Sequence, residues 1–191
     1  MIDPDAFIQR LNRTKTLSQK LSTALMSGLK INKYEANETF VSPGNFATAI
    51  YFIQTGLVRG AIEGPKEKNT TWFKQEGDLI VPQGIFNQQP SEEYISVMLN
   101  TTLLAIPLIH IQKVLESNPE LIELIIFLIA ESKQESHYRE KLLRMPTAKD
   151  RYKFLMKNED YILKRIPQYF IASYINVSKE TFSRLHKRRS Y

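Results

Sequence analysis

Lys179, Glu180, Thr181, Ser183, Arg184 and Lys187 form the cluster of side chains whose types and spacing point most directly to a chemistry. Ammonium, guanidinium, carboxylate and hydroxyl groups of this kind contact base edges and phosphates of nucleic acid. A carboxylate can accept from cytosine N4, and a guanidinium can bind guanine O6 and N7 together. Glu180 and Arg184 lie four residues apart, so on a helix both face the same groove. A plain i,i+4 ion pair is the simpler use of the same two residues, and the two uses are compatible.

Such a cluster needs an element that holds it out rigidly. The stretch 167–185, PQYFIASYINVSKETFSRL, reads as two short helices broken by one tight turn. Ile171, Ala172 and Ile175 share one helical face, and Phe182 with Leu185 form a second apolar stripe. Ala172 is small enough for close helix packing. Asn176 falls where the turn is needed and tolerates a left-handed backbone. Ser178 stands where an N-cap hydroxyl would accept an orphan backbone N–H. This is the pattern of a helix-turn-helix that enters the DNA major groove.

Charge is concentrated in the same place. From Met145 to Tyr191 there are 11 Lys and Arg against 4 Asp and Glu, a balance of +7. The preceding 144 residues hold 15 basic and 16 acidic side chains, so the excess of the whole chain, +6, is local. A basic block beside a recognition-helix pattern favours a phosphate backbone as partner over a merely solvated tail.

With 191 residues, 42% of them hydrophobic and 24% charged, the chain can bury one large or two small cores. There is no cysteine, which excludes disulfides and thiolate metal sites. No apolar run reaches membrane-spanning length and the N-terminus lacks a signal-peptide pattern, so a cytoplasmic protein without membrane contact is expected. All seven glycines precede residue 85. Between about residues 30 and 107, short β-rich runs alternate with turn residues, the pattern of an antiparallel roll. Leu17, Leu21, Leu25 and Leu29 suggest a helix packed on it. After Asn118-Pro119 a stretch without Gly or Pro runs to Pro146 and reads as one long helix. Leu121, Ile125 and Leu128 form its main stripe, while Ile122, Leu124, Ile126 and Ile129 widen the apolar face. That is more than covering a roll requires, and Leu121, Ile125 and Leu128 are expected to pair with a second copy. A two-fold protein also explains how a single helix-turn-helix reads a two-part site.

The order of β-roll, long connecting helix and C-terminal helix-turn-helix resembles the Crp/Fnr superfamily of bacterial transcription regulators. IYFIQTGLVRG and QEGDLI look like the strand–glycine turns of that family's roll. Gln168, Ile171, Ala172, Ile175, Val177, Ser178, Glu180, Thr181, Ser183 and Arg184 follow its helix-turn-helix signature, with Asn176 in place of the usual glycine. The resemblance implies base contacts by Lys179, Glu180 and Arg184. Lys179 stands where the family has an arginine and loses the planar fork, so the half-site is expected to differ there. Gln168, Ser178, Thr181, Ser183, Lys187 and Arg188 are expected on phosphates, with Lys153, Lys157 and Arg189 as further anchors. The stretch after Leu185 is short, so phosphate contacts from the family's β-wing are not expected. Met145-Pro146-Thr147 is the expected hinge.

One departure bears on sensing. Cyclic-nucleotide-binding members hold the phosphate with an arginine in the roll, whereas Val81 to Leu99 contains no Arg or Lys. Ser91 lies near the arginine's place, and Glu92 and Glu93 would repel a phosphate. The phosphate site is therefore expected to be lost. Val81, Ile85, Ser91 and Tyr94 are the expected lining if another small molecule acts as effector. His110, His137 and His186 show no metal-ligand spacing, and no catalytic signature is present, so no enzyme, cofactor or metal is expected. Activation would need a surface touching RNA polymerase, which no motif identifies.

The expected fold is α+β: a jelly-roll-like, cyclic-nucleotide-binding-like antiparallel β-roll over residues 1–116, a long dimerisation helix over 117–145, and a helix-turn-helix domain over 146–191. The expected function is sequence-specific recognition of two-fold sites in double-stranded DNA by a homodimer. The alternative is a roll-type binding module whose basic C-terminal domain contacts RNA or a protein.

Overall fold

A computed structural model describes residues 3–65 and 67–187. It has an α+β fold that divides by contacts into two units: residues 1–60 with 74–132, and residues 61–73 with 133–191.

The first unit opens with helices α1 (Pro4–Thr14) and α2 (Gln19–Met26). Asp3 caps α1 by accepting from the backbone N–H groups of Asp5 and Ala6, and Pro4 occupies the first turn, where its missing N–H costs nothing. Ser18 caps α2 through the N–H of Leu21 at 3.1 Å. Strands β1 (Lys30–Tyr34), β2 (Thr39–Val41), β3 (Ala49–Thr55), β4 (Leu57–Ile62), β5 (Asn69–Gln75), β6 (Leu79–Ile80), β7 (Glu93–Val97) and β8 (Thr101–Pro107) follow. They form two four-stranded sheets, ordered β1-β8-β3-β6 and β2-β7-β4-β5.

Alternation along β3 and β8 assigns the faces of the first sheet. Ile50 pairs with Ile106 and Phe52 with Leu104, and all four join a core with Phe7, Leu11, Leu21 and Leu25 of the leading helices. Tyr51, Ile53, Leu103 and Ala105 lie on the opposite face and are also buried. Each large side chain so buried contributes about 1.5–3 kcal/mol. The tight turn between β3 and β4 needs Gly56, whose φ is 120° and where a Cβ would sit 2.7 Å from that of Thr101.

Helices α3 (Leu108–Ser117) and α4 (Leu121–Leu143) close the same core. His110 Nε2 bonds the Ala24 carbonyl oxygen at 2.8 Å, which ties α3 to α2. Arg10 pairs with Glu131 at 2.7 Å and Thr14 donates to the same carboxylate at 2.6 Å, which ties α1 to α4.

Here one expectation is corrected. Leu121 and Leu128 are 2% and 4% exposed in the single chain, buried with Leu124 in the roll's core, and Ile125 packs against that core. In the single chain Leu121 and Leu128 are turned into their own roll, and Ile125 is half-buried at its edge. The apolar residues left outside are Ile122, Ile126, Phe127 and Ile129, 48–57% exposed. The period was legible, but its phase depended on which face the roll would claim.

The second unit combines the end of α4, the hairpin tip 61–73 and helices α5 (Ala148–Asn158), α6 (Asp160–Arg165), α7 (Gln168–Tyr174) and α8 (Lys179–Lys187). The contacts thus cut the chain differently from a division at residues 116 and 145. The hairpin tip joins the helices by specific bonds: the Thr70 N–H donates to Ser173 Oγ at 3.0 Å, Arg139 donates to the Thr70 carbonyl at 3.1 Å, and the Tyr161 hydroxyl donates to the Phe73 carbonyl at 3.2 Å.

Candidate nucleic-acid interface

The two helices of the motif form where the residue pattern requires them. Ile171, Ala172, Tyr174 and Ile175 are buried, and Phe182 anchors α8 with no exposure. Phe182 meets the Tyr152 ring edge-on at 5.7 Å and stacks on His186 at 5.7 Å. The Tyr152 hydroxyl and His186 Nδ1 are 2.9 Å apart, which fixes the far end of α8 against α5.

Asn176 turns the chain with φ 51°, in the left-handed region. The Val177 N–H returns to the Ala172 carbonyl at 3.0 Å and the Asn176 N–H to that of Ser173 at 3.1 Å, so α7 ends with its carbonyls satisfied. Ser178 Oγ accepts the Thr181 N–H at 3.2 Å and donates to Thr181 Oγ1 at 3.0 Å, the N-cap expected of it.

These constraints leave Lys179, Glu180, Arg184 and Lys187 exposed on a helix whose back is anchored, with Thr181 and Ser183 half-buried at its flank. Arg184 donates to Thr181 Oγ1 at 3.3 Å. The Glu180 carboxyl is held below its ordinary value, first by its own backbone amide, then by Ser178, with Lys179 and Arg184 adding to this, so it stands as an ionised acceptor. Lys179 Nζ lies 5.7 Å from the Tyr169 ring centroid, a cation–π contact that orients its stem. Gln168 is exposed at the start of α7. Lys153 and Lys157 lie on α5 and are exposed. Arg188 and Arg189 lie outside the described residues.

Several supports were not foreseen. Arg151, counted only as positive charge, donates to the carbonyls of Asn176 at 3.3 Å and Met145 at 3.1 Å and so braces the turn. Tyr174 donates to Glu159 Oε2 at 3.1 Å, and the Arg139 guanidinium lies 4.1 Å over the Tyr174 ring. Burial is the main influence on the Glu159 carboxyl and pushes it above its ordinary value. Burial, then the Glu159 charge, pushes the Tyr138 and Tyr174 phenols up. Only the aromatic content of these segments signalled such a cluster.

In the roll, the four expected pocket residues are used differently. Ser91 is 2% exposed, accepts the Glu93 N–H at 3.0 Å and donates to the Glu93 carbonyl at 3.1 Å, so its hydroxyl is committed to a local turn. Val81 packs against the core. Tyr94 is half-buried in β7. Ile85 alone of the four lines the cleft at one end of the roll. The Ser91 hydroxyl is satisfied within its own loop. Among the described residues no group of His, Asp or Glu is placed to hold a metal, and His137 is exposed on α4.

Residues 31–118 match the family model of the cyclic nucleotide-binding domain. No curated protein sequence matches the chain. Solved structures of similar fold include FixK2 from Bradyrhizobium japonicum, with TM-score 0.70 and 18% identity over 84% of this chain and 83% of that one. The catabolite activator protein of Thermus thermophilus gives TM-score 0.59 and 18% identity over 95% and 86%. The c-di-GMP-responsive global regulator CLP of Xanthomonas campestris gives TM-score 0.69 and 15% identity over 91% and 92%. The fold of this chain, a β-roll, a long helix and a C-terminal helical unit, is similar to that of these solved structures.

Proposed function

We propose that this chain is a sequence-specific DNA-binding transcription regulator of the Crp/Fnr type that acts as a homodimer on two-fold sites. The observation that carries this is α8 itself, capped by Ser178, anchored through Phe182, and exposing Lys179, Glu180, Arg184 and Lys187 within the one strongly basic part of the chain. Glu180 and Arg184 read bases, Lys179 contacts a base or a neighbouring phosphate, and Gln168, Ser178, Thr181, Ser183, Lys187 and Arg188 fix the register on the backbone. Two copies pair through Ile122, Ile126, Phe127 and Ile129 of α4, which recur at helical spacing and are exposed in one copy. The protein works in the cytoplasm and without catalysis. Among the described residues, no helix is long and apolar enough to cross a membrane.

The roll has lost the cyclic-nucleotide phosphate site: no Arg or Lys occurs from Val81 to Leu99, and Ser91 is committed to its turn. Calorimetry with cyclic AMP and cyclic GMP should give no heat of binding, and micromolar affinity for either would contradict this.

The deciding experiment is selection of bound duplexes from a random DNA pool, repeated with Arg184→Ala. The proposal expects an enriched motif with two-fold symmetry whose base preference weakens in the variant. Salt-sensitive binding without a motif would leave a general polyanion binder, and preference for RNA would overturn the reading.

A further inference from the structure

The described residues include a cleft of about 840 Å³ at one end of the roll, between the starts of β1 and β3, the end of β8 and the first turn of α3. Its volume is in the range of about 300–1,000 Å³ typical of small-molecule sites. Its chemistry is lopsided. Lys30 is the only charged residue lining it, and no acidic residue does so. Lys30 forms no ion pair among the described residues, so its charge has no internal counter-ion. Phe46 and Ile109 stand at the cleft 61% and 75% exposed, more than any other large apolar side chain described. Gln112 and Gln88 supply amides, and Gln88 is held at φ 52°. Non-glycine residues rarely adopt that region, and such strain is often found where a ligand is clamped. The Tyr51 phenol, pushed up to about 12 by burial and then by Tyr34, stays protonated at neutral pH and can donate.

We propose that this cleft binds a small monocarboxylate with an apolar body, its carboxylate on Lys30 and its body between Phe46 and Ile109. A cation would meet Lys30, and a dianion would find only that one cationic partner, so neither suits the cleft. The cleft takes in Gly84, Ile85 and Gln88 of the 81–99 stretch, and Ser91 bonds the backbone of Gly44 and Asn45 beside Phe46, so the cleft adjoins the place of the lost phosphate site but offers Lys30 in another position; it does not depend on whether α8 reads DNA.

The test is titration of the full-length protein with 2-naphthoate, followed by calorimetry. One saturable site per chain is expected. Lys30→Glu and Ile109→Glu, both at exposed positions on different elements, should each weaken it about tenfold or more, equivalent to losing one charge-assisted contact. Lys133→Glu, at an exposed position of α4 outside the cleft, should leave it unchanged, with circular dichroism checking that each variant folds. Absence of saturable binding, indifference to both cleft substitutions, or equal loss in Lys133→Glu would overturn the proposal. So would displacement of naphthoate by cyclic AMP, which would make this a nucleotide site.

Discussion

Two residues carry most of the specificity argument. Arg184 can make a bidentate contact with guanine, and its truncation leaves the groove contact unmade without touching the packed side of α8. Arg184→Ala should therefore cost about 1–3 kcal/mol of discrimination at one position of each half-site, read as relaxed preference in competition binding, while thermal stability stays within about 0.5 kcal/mol. Asn176 is a different kind of residue, needed for backbone and not for contact. With φ 51° it occupies a conformation that glycine adopts without cost and β-branched residues resist. Asn176→Gly should be neutral in thermal unfolding, and Asn176→Val should lose about 1–2 kcal/mol with loss of DNA binding. Much of this was legible in the sequence because a turn residue and a cap residue announce themselves locally. Arg151 was not, because the carbonyl it braces belongs to a residue 25 positions away and nothing local marks such a pairing.

At the level of elements, the same contrast separates what periodicity reveals from what it hides. The seven glycines before residue 85, the strand alternation and the uninterrupted run after Pro119 gave a roll followed by a long helix. They could not give the phase of α4, since any of several apolar stripes could meet the roll, and α1, which competes for that face, was not anticipated as a separate helix. The clamp between α1 and α4 makes this packing testable. Burial works to raise the Glu131 carboxyl, but hydrogen bonds from Arg10 and Thr14 and the Arg10 charge outweigh it, and the group sits below its ordinary value of 4.5. A carboxyl depressed in the folded state adds stability above its unfolded value, and that stability is lost as pH falls through the folded value. The pair is partly exposed, with side-chain exposures of 19% and 36%, so screening limits it to less than about 1 kcal/mol. Glu131→Gln should thus lower the midpoint of urea unfolding slightly at pH 7, and the difference should disappear in acid below the carboxylate range.

For the whole molecule, the question is how far dimerisation and DNA reading are one property. A single α8 offers few base contacts, and each half-site alone would be bound mainly through phosphates. The proposed pairing through Ile122, Ile126, Phe127 and Ile129 would link two such weak events, so that the second becomes intramolecular and affinity for the two-part site rises without new contacts. Those residues lie on α4, away from α8 in sequence, and are exposed in one chain, so a substitution there should leave the fold intact. Placing a charge at Ile126 would force an unpaired carboxylate into the apolar seam. Ile126→Glu is expected to sediment as a monomer at concentrations where the parent is a dimer, and to lose most affinity for the two-fold site. The salt dependence distinguishes this from damage to α8. Removing one half of the contacts should halve the slope of log affinity against log salt, whereas Lys187→Ala should lower it by about one per half-site with the dimer preserved. A monomeric variant that kept the full slope and affinity would show that one chain reads its site alone, and the exposed face of α4 would then need another partner.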